Sequence, residues 1–334
     1  MTNPAKTLRQ RLRAQLPLFL VVVATLALVS VLFFARVHST EIELDVETTR
    51  ADFVVSGRQA LIDALVLSRI GIGRLRAAEV PRARDQDAQV VRSDSDDIAV
   101  QIAPATAGDR TGTITLQDLV LPPATTVSLT HAEGSQSHRI DLTAAPPDLH
   151  VALSGPTALG ITGAGRRTLD LEVPSDLTLH AGKSGAFLDL ELPAAARGQL
   201  ARQLRARNLR LHDVDESGDE TETVVKRVSA ILSGTLYFEA LDGQQRKLRA
   251  GEMLQFAHSE GELRTVRLEA GGIALSFFGT VDGMTVGRGQ NQVSLMPTWL
   301  EWLRARHGLG LFWGAAVYLC GLAVTAVKWL RGRE

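Results

Sequence analysis

Two histidines that flank a short polar segment form the first arrangement that could bind a metal ion. His131 and His138 enclose "AEGSQS", which has the composition of a hairpin turn. If the turn forms, the two rings face each other across neighbouring strands, with Glu133 or Asp141 within reach. Imidazole is a common metal ligand, but a protein metal site needs three or four ligands. We therefore interpret the histidines as a surface pair, with a metal site as the weaker alternative.

An acidic segment, "HDVDESGDETE" at 212–222, resembles the start of a calcium-binding loop. Its residues at the first, third, fifth and sixth loop positions are Asp213, Asp215, Ser217 and Gly218. The twelfth position, where a bidentate glutamate should complete the coordination shell, is Val224. We therefore predict an exposed loop, and keep calcium as the weaker alternative.

The remaining motifs do not predict catalysis. "AGKSG" at 181–185 resembles the end of a phosphate-binding loop, but Leu177 replaces the first glycine of that motif, so we predict a turn. The sequence has no G-x-S-x-G, H-E-x-x-H or paired C-x-x-C motif, and its one cysteine is Cys320. We expect a non-enzymatic protein without catalytic residues or cofactors; a hydrolase assembled from distant residues is the alternative.

Two long uncharged runs are the most informative features of the sequence. The first lies between Arg13 and Arg36, and the second between His307 and Lys328. Roughly 20 helical residues cross a hydrocarbon core of about 30 Å, so each run is long enough for a transmembrane helix. The alternatives are a cleaved signal peptide for the first run and a buried core helix for the second.

The distribution of basic residues predicts the orientation of these two spans. On the sides of the spans that face the chain termini, the basic residues are Lys6, Arg9, Arg11, Arg13, Lys328, Arg331 and Arg333. On the sides that face the region between the spans, they are Arg36, Arg304 and Arg306. By the positive-inside rule, both termini are cytoplasmic and residues 36–307 are extracytoplasmic. The strong excess of arginine over lysine suggests a GC-rich bacterial genome, and together with the two predicted spans we expect a protein of the bacterial inner membrane.

Aromatic and basic residues precede the second run. Thr298 and Glu301 form a T-x-x-E capping box, which predicts that a helix begins there. The predicted membrane-interface residues are Trp299, Trp302, Arg304 and Arg306. The alternative is that the tryptophans pack beneath the β-domain. Inside the second run, the small residues predicted to pack against another helix are Gly310, Gly314 and Gly321.

The region between the spans has the pattern of β-structure. Alternating apolar residues between Gly, Pro, Asp and Ser predict strands at 41–47, 97–103, 112–121, 125–131, 138–144, 167–173, 176–180 and 186–192. Turn signals at Asp242-Gly243, Glu260-Gly261, Gly271-Gly272 and Asp282-Gly283 predict a β-meander over 224–287. The predicted fold is mainly β, an antiparallel β-sandwich or jelly-roll-like ectodomain of one or two lobes, anchored by two transmembrane α-helices. A β-solenoid over 97–192 is the alternative.

One helix is predicted to interrupt the strands, at 193–207, where Leu200 and Leu204 lie four apart. The segment 58–75 fits either a helix or a buried strand. The predicted segments are a cytoplasmic tail (1–15), a transmembrane helix (16–35), β lobe 1 (36–192), a helix and acidic loop (193–222), β lobe 2 (223–296), an interfacial helix (297–307), a second transmembrane helix (308–327) and a cytoplasmic tail (328–334).

This organisation favours a subunit, scaffold or regulator of an envelope complex, since the predicted tails are too short for a folded domain. The expected partners are membrane lipids, other envelope proteins and a second copy of the chain. A net charge of −1 argues against nucleic acid. The alternative function is a ligand-binding module for a lipid, glycan or peptide that signals through its transmembrane helices.

Overall fold

The structure, a computed structural model, describes most of the chain between residues 23 and 331. The described residues are 23, 25, 27, 30, 31, 33–80, 89–107, 110–132, 134–143, 148–163, 167–171, 175–193, 198–219, 222–288 and 291–331. They fall into two compact units. The β unit consists of Glu41–Tyr237 and Gln245–Leu295, and the terminal unit of Met1–Thr40, Phe238–Gln244 and Met296–Glu334.

The fold is mainly antiparallel β, which confirms the predicted β-rich class. The strands of the first half of the chain are β1 Ser39–Thr48, β2 Arg50–Val55, β3 Gln59–Leu67, β4 Arg69–Val80, β5 Gln89–Arg92, β6 Ile98–Pro104, β7 Thr106–Ala107, β8 Arg110–Thr111, β9 Thr113–Leu121, β10 Thr126–His131, β11 Ser137–Thr143, β12 Asp148–Ser154 and β13 Thr157–Thr162. Each strand predicted within this half is present.

The second half continues in the same way. Its strands are β14 Arg167–Leu171, β15 Ser175–Ala181, β16 Ala186–Glu191, β17 Gly198–Arg210, β18 His212–Asp219, β19 Glu222–Ser229, β20 Ile231–Phe238, β21 Gln244–Leu248, β22 Leu254–Glu269, β23 Gly272–Arg288 and β24 Asn291–Ser294. A 3-10 turn covers Glu239–Leu241, and helix α1 covers Trp299–Arg331. The segment 58–75, which fitted either a helix or a strand, forms β3 and most of β4.

One large sheet connects these strands, and among the described residues it contains 20 of them. Hydrogen bonding proceeds in the order β20–β1–β23–β22–β17–β2–β10–β11–β16–β4–β6–β13–β14. A branch leaves the far half of β4 as β4–β15–β12–β9–β3. The registered pairs are antiparallel, which does not fit the β-solenoid alternative.

The sheet encloses the apolar core on one face. Strands such as β2 and β10 alternate buried and partly exposed residues, as expected where one face of a sheet meets a core and the other meets water. The largest fully buried side chains are Phe53, Phe277, Ile42, Leu44, Leu61, Ile62, Ile70, Ile72, Leu75, Ile98, Ile102 and Ile114. Residues of both predicted lobes belong to the same β unit.

The prediction of a helix at 193–207 was wrong, because the described part of this segment belongs to strand β17. Leu200 and Leu204 are both buried, although the strand does not alternate regularly between them, because Ala201 is also buried and Gln203 has a φ of 58°. β17 pairs with β22 and β2, with breaks in register next to Gln199 and Arg207. Long-range pairing therefore decided the structure of this segment.

Of the predicted glycine turns, two lie instead within the paired strands of the β22–β23 hairpin. Asp242-Gly243 is a turn with positive φ at both residues, as predicted. Glu260-Gly261 and Asp282-Gly283 instead lie within the long strands β22 and β23, and the hairpin closes at residues 270 and 271. Gly261 faces Gly279, and a Cβ at Gly261 would come within 2.3 Å of a backbone oxygen of the opposite strand. Here glycine permits close approach of two backbones instead of a turn.

The terminal unit contains α1, which has 33 residues and spans about 50 Å. The interfacial helix and the second transmembrane helix, predicted as separate segments, are therefore one continuous helix. The described residues between 23 and 34 are also helical. Within the described part of the chain, no helix has the combination of length and apolar character that crossing a membrane requires.

Candidate functional site

The β10–β11 hairpin brings His131 and His138 together, as the sequence predicted. They are directly opposed in the register of the two strands, and their ring centroids are 4.8 Å apart with the ring planes tilted by 36°. They are not a surface pair, however, because His131 is 5 % and His138 1 % exposed. The alternation of β10 and β11 places both on the core face, alongside Leu129 and Ile140.

This environment keeps His138 neutral at physiological pH. Burial in the core, followed by the electrostatic effect of His131, lowers the pKa of His138 to about 4, while the backbone of Glu269 acts in the opposite direction. Within the described part of the chain, neither ring nitrogen of His138 has a hydrogen-bond partner of normal geometry. The buried ring of His138 is therefore held neutral in an apolar environment beside His131.

Among the described residues, no further metal ligand accompanies this pair. Glu133 lies outside the described residues, and the carboxylate of Asp141 instead bonds to Arg139 at 3.0 Å. Among the residues that the structure describes, no group of three or more His, Cys, Asp or Glu side chains is arranged to bind a metal ion.

The acidic segment forms a hairpin, not the exposed loop that was predicted. β18 and β19 pair along their whole length, with Asp213 opposite Val228 and Ser217 opposite Val224. An extended strand spaces the acidic residues along its length, whereas a calcium loop wraps them around the ion. The Asp213 carboxylate is bonded by the Arg50 guanidinium at 2.6 Å. The side chains of Asp215 and Ser217 are not among those described.

The "AGKSG" segment is a turn, as predicted. It joins β15 to β16, and Gly182 and Gly185 form an isolated antiparallel bridge across it. The backbone N–H of Lys183 donates a hydrogen bond of 2.7 Å to the Asp96 carboxylate. That amide is therefore already occupied by a carboxylate of the same chain.

A cleft that the sequence did not predict lies in the β unit, beside the β18–β19 hairpin. It has a volume of about 250 Å³. Its lining residues come from the end of β17, from β18 and β19, and from the start of β22: Leu209, Arg210, His212, Val214, Arg227, Leu254, Gln255 and Phe256. Four of these side chains are apolar and three carry or can carry positive charge.

The polar side of the cleft is electropositive. Burial, followed by the charges of Arg227 and Arg210, lowers the pKa of His212, with a smaller opposing effect of Asp52. Within the described residues, neither arginine has a carboxylate at salt-bridge distance, and the buried Nδ1 of His212 has no hydrogen-bond partner. Buried polar atoms are usually paired. These groups are therefore arranged to receive an anion.

Sequence reasoning missed this cleft because its residues are distant in the chain and belong to no motif. Arg210 and Arg227 come together only because β18 and β19 fold back as a hairpin. The one available signal was that arginines occur on both sides of the acidic segment.

In the terminal unit, the segment that follows the first uncharged run meets the segment that precedes α1 at a short β-bridge. Arg36 and Thr298 form this bridge, and the N–H of Val37 donates to the carbonyl of Pro297 at 2.9 Å. The N–H of Trp299 likewise donates to the carbonyl of Ala35 at 3.1 Å. The last residues of the first uncharged run are thus fixed against the start of α1.

The predicted capping box at the start of α1 is confirmed. The N–H of Glu301 donates to the Thr298 hydroxyl at 3.3 Å, and the Glu301 carboxylate accepts from the N–H of Thr298 at 2.8 Å. Trp299 and Trp302 meet edge to face at 5.5 Å, and the Arg306 guanidinium lies 5.1 Å from the Trp302 ring centroid. The structure thus groups three of the four predicted interface residues; Arg304 lies in the same helical turns.

The predicted helix-packing glycines lie along α1 with open space beside them. A Cβ built on Gly310, Gly314 or Gly321 would meet no described atom within 4 Å outside the helix itself. No described segment of the chain therefore occupies this face, and the predicted use of these glycines is untested.

Comparison of the chain with protein-family models, with curated proteins and with solved structures finds no significant match.

Proposed function

We propose that this chain is a non-enzymatic subunit or scaffold of a bacterial envelope complex, anchored in the inner membrane by its two uncharged runs. In this proposal the β unit is extracytoplasmic and makes the protein contacts. The membrane segments are inferred from the sequence, since much of both runs lies outside the residues whose side chains are described.

The observation that carries the proposal is the β-bridge between Arg36 and Thr298. Arg36 directly follows the first uncharged run, and Thr298 directly precedes α1. A bridge at this position brings the end of the first predicted span close to the start of α1, so that both spans would enter the membrane side by side. The bridge fits the proposed orientation, in which the residues between the two spans all lie on the same side of the membrane.

The surface of α1 gives independent support. Its described apolar side chains are unusually exposed, with Val317 69 % and Tyr318 68 % exposed. Exposed apolar surface of this extent usually marks contact with lipid or with another protein. The Trp299–Trp302–Arg306 group at the start of the helix has the composition of an interfacial belt, in which indole rings lie at the headgroup level and arginine reaches lipid phosphate.

The open side of Gly310, Gly314 and Gly321 suits a helix from another subunit or from a second copy, because small residues allow close approach of two helices. The scaffold role is favoured over an enzyme because the described residues contain no arrangement of nucleophile, base and orienting group among the sites above.

Cysteine labelling tests the topology. In a Cys320→Ser background, Val293→Cys places a thiol at an exposed position of the β unit. We expect a membrane-impermeant maleimide to label it in intact spheroplasts, and to label Glu334→Cys only after permeabilisation. Protection of Val293→Cys in intact spheroplasts, or release of the chain from membranes by an alkaline carbonate wash, would contradict membrane anchoring in this orientation.

Purification in a mild detergent tests the scaffold role. We expect the full-length chain to elute as an oligomer or with stoichiometric envelope proteins. Substitution of Gly314 by leucine should reduce this association if it occurs through α1. A parent chain that elutes only as a monomer would argue against a scaffold.

A further inference from the structure

The cleft beside the β18–β19 hairpin combines two types of surface. Leu209, Val214, Leu254 and Phe256 form its apolar part, Arg210 and Arg227 its cationic part, and His212 lies beside them as a polar group. Small-ligand sites commonly pair an apolar lining with a few polar groups that orient the ligand. A ligand that fits this cleft must therefore contain both an apolar group and a negative charge.

The positive charge of the cleft is not neutralised by the nearest described carboxylates. Asp52 and Asp213 both bond to Arg50, at 3.2 Å and 2.6 Å. The guanidinium of Arg50 therefore pairs with both carboxylates. Among the described residues, no carboxylate lies at salt-bridge distance from Arg210 or Arg227. Guanidinium groups bind carboxylates and phosphates in fork-like geometry, which makes them suitable partners for either anion.

A second, independent observation also indicates a ligand. The Nδ1 atom of His212 is buried and has no hydrogen-bond partner among the described residues. An anionic oxygen in the cleft could accept a hydrogen bond from this nitrogen in its N–H tautomer. The volume of about 250 Å³ is slightly below the usual range for drug-sized ligands, so the cleft suits a headgroup with a short apolar segment.

We propose that this cleft binds the acidic headgroup of a small amphiphile, a carboxylate or a phosphate monoester attached to a short apolar chain. Arg210 and Arg227 bind the anion, His212 donates to one of its oxygens, and Phe256 and Leu254 contact the apolar chain. This site lies wholly in the β unit and does not depend on the membrane topology proposed above.

Calorimetric titration of the purified full-length chain, in a nonionic detergent, tests the proposal with four probes. Hexanoate and hexyl phosphate carry both required groups, whereas 1-hexanol lacks the anion and inorganic phosphate lacks the apolar chain. We expect saturable binding of hexanoate, hexyl phosphate or both, and binding at least about tenfold weaker for the other two. The preferred acid identifies the headgroup as a carboxylate or a phosphate.

Variants assign the binding to the cleft. Arg210→Gln and Arg227→Gln should each weaken binding by about tenfold, since each removes one charge-assisted hydrogen bond. Arg202→Gln is the matched control, because Arg202 is exposed on the same strand but does not line the cleft. The proposal is overturned if neither acid binds, if 1-hexanol or inorganic phosphate binds as tightly, or if the cleft variants bind like the parent and the control.

Discussion

His131 and His138 face each other across the β10–β11 hairpin with ring centroids 4.8 Å apart, and both are buried in the core of the β unit. Protonation of His138 would place a charge in an apolar environment beside the ring of His131, and its pKa is lowered accordingly. The pair therefore links the stability of the β unit to pH.

Acidification should destabilise the protein through His138. Its folded pKa of about 4 lies below the ordinary histidine value of 6.5, so the unfolded chain binds more protons between these values. His138 causes no loss of stability above pH 6.5; as pH falls below that value the unfolding free energy decreases, and the loss reaches about 3 kcal/mol at pH 4. Denaturant unfolding of the parent and of His138→Leu at pH 7 and pH 4.5 measures this difference.

We expect His138→Leu to lose less stability on acidification than the parent does. His258→Leu is the control, because it removes an exposed histidine of the same β unit. Equal pH dependence in the parent and in His138→Leu would show that the buried pair does not contribute.

Gly73 should not tolerate alanine, although its neighbour Gly71 should. A Cβ at Gly73 would lie 2.2 Å from the ring of Phe187, which pairs with it across β4 and β16, whereas a Cβ at Gly71 would lie 3.6 Å from Asp189. We expect Gly73→Ala to lower the free energy of unfolding by about 1–3 kcal/mol and Gly71→Ala to change it by less than about 0.5 kcal/mol. Thermal or denaturant unfolding provides the comparison.

A second variant tests the cause. Phe187→Leu in the Gly73→Ala background should recover part of the loss, because the smaller side chain makes room for the added methyl group. If the double variant is as unstable as the sum of the two single variants, steric conflict with Phe187 is not the reason.

The hydroxyl of Ser259 should stabilise the fold at the point where β17 bends. Its buried hydroxyl accepts a hydrogen bond of 2.7 Å from the N–H of Leu209, next to Asn208, whose φ is 57°. Ser259→Ala leaves this buried N–H unpaired, and we expect a loss of about 1–3 kcal/mol in unfolding free energy. Ser276→Ala, on the neighbouring strand β23, should cost less than half as much. Similar losses for the two variants would refute a specific role for the Ser259 hydroxyl.

Thr298→Ala should loosen the start of α1. The substitution removes the hydroxyl that accepts from the N–H of Glu301, and an N-cap is worth about 1 kcal/mol. Amide hydrogen exchange should accelerate about fivefold in the first helical turn. Thr325→Ala, which removes a hydroxyl bonded to the carbonyl of Gly321 within the helix, should not accelerate exchange at Trp299–Trp302. Unchanged exchange in Thr298→Ala would mean that the β-bridge alone holds this turn.

Local sequence pattern determined much of the fold. The alternation of apolar and polar residues identified the strands, because side chains of a strand point alternately to its two faces. The capping box identified the start of α1, since both of its hydrogen bonds join residues three apart. The opposition of His131 and His138 also followed from the sequence, because a short turn fixes the register of the strands that it joins.

The tertiary structure decided what these local patterns left open. Leu200 and Leu204 fit a helix or a strand equally, and only pairing with β22 and β2 made the segment a strand. Sequence could not show whether the histidines face the core or the solvent, because that depends on which face of the hairpin the rest of the sheet covers. The cationic cleft also depends on tertiary structure: the β18–β19 hairpin brings Arg210 and Arg227 together, and the distant strand β22 adds Leu254 and Phe256 to the lining.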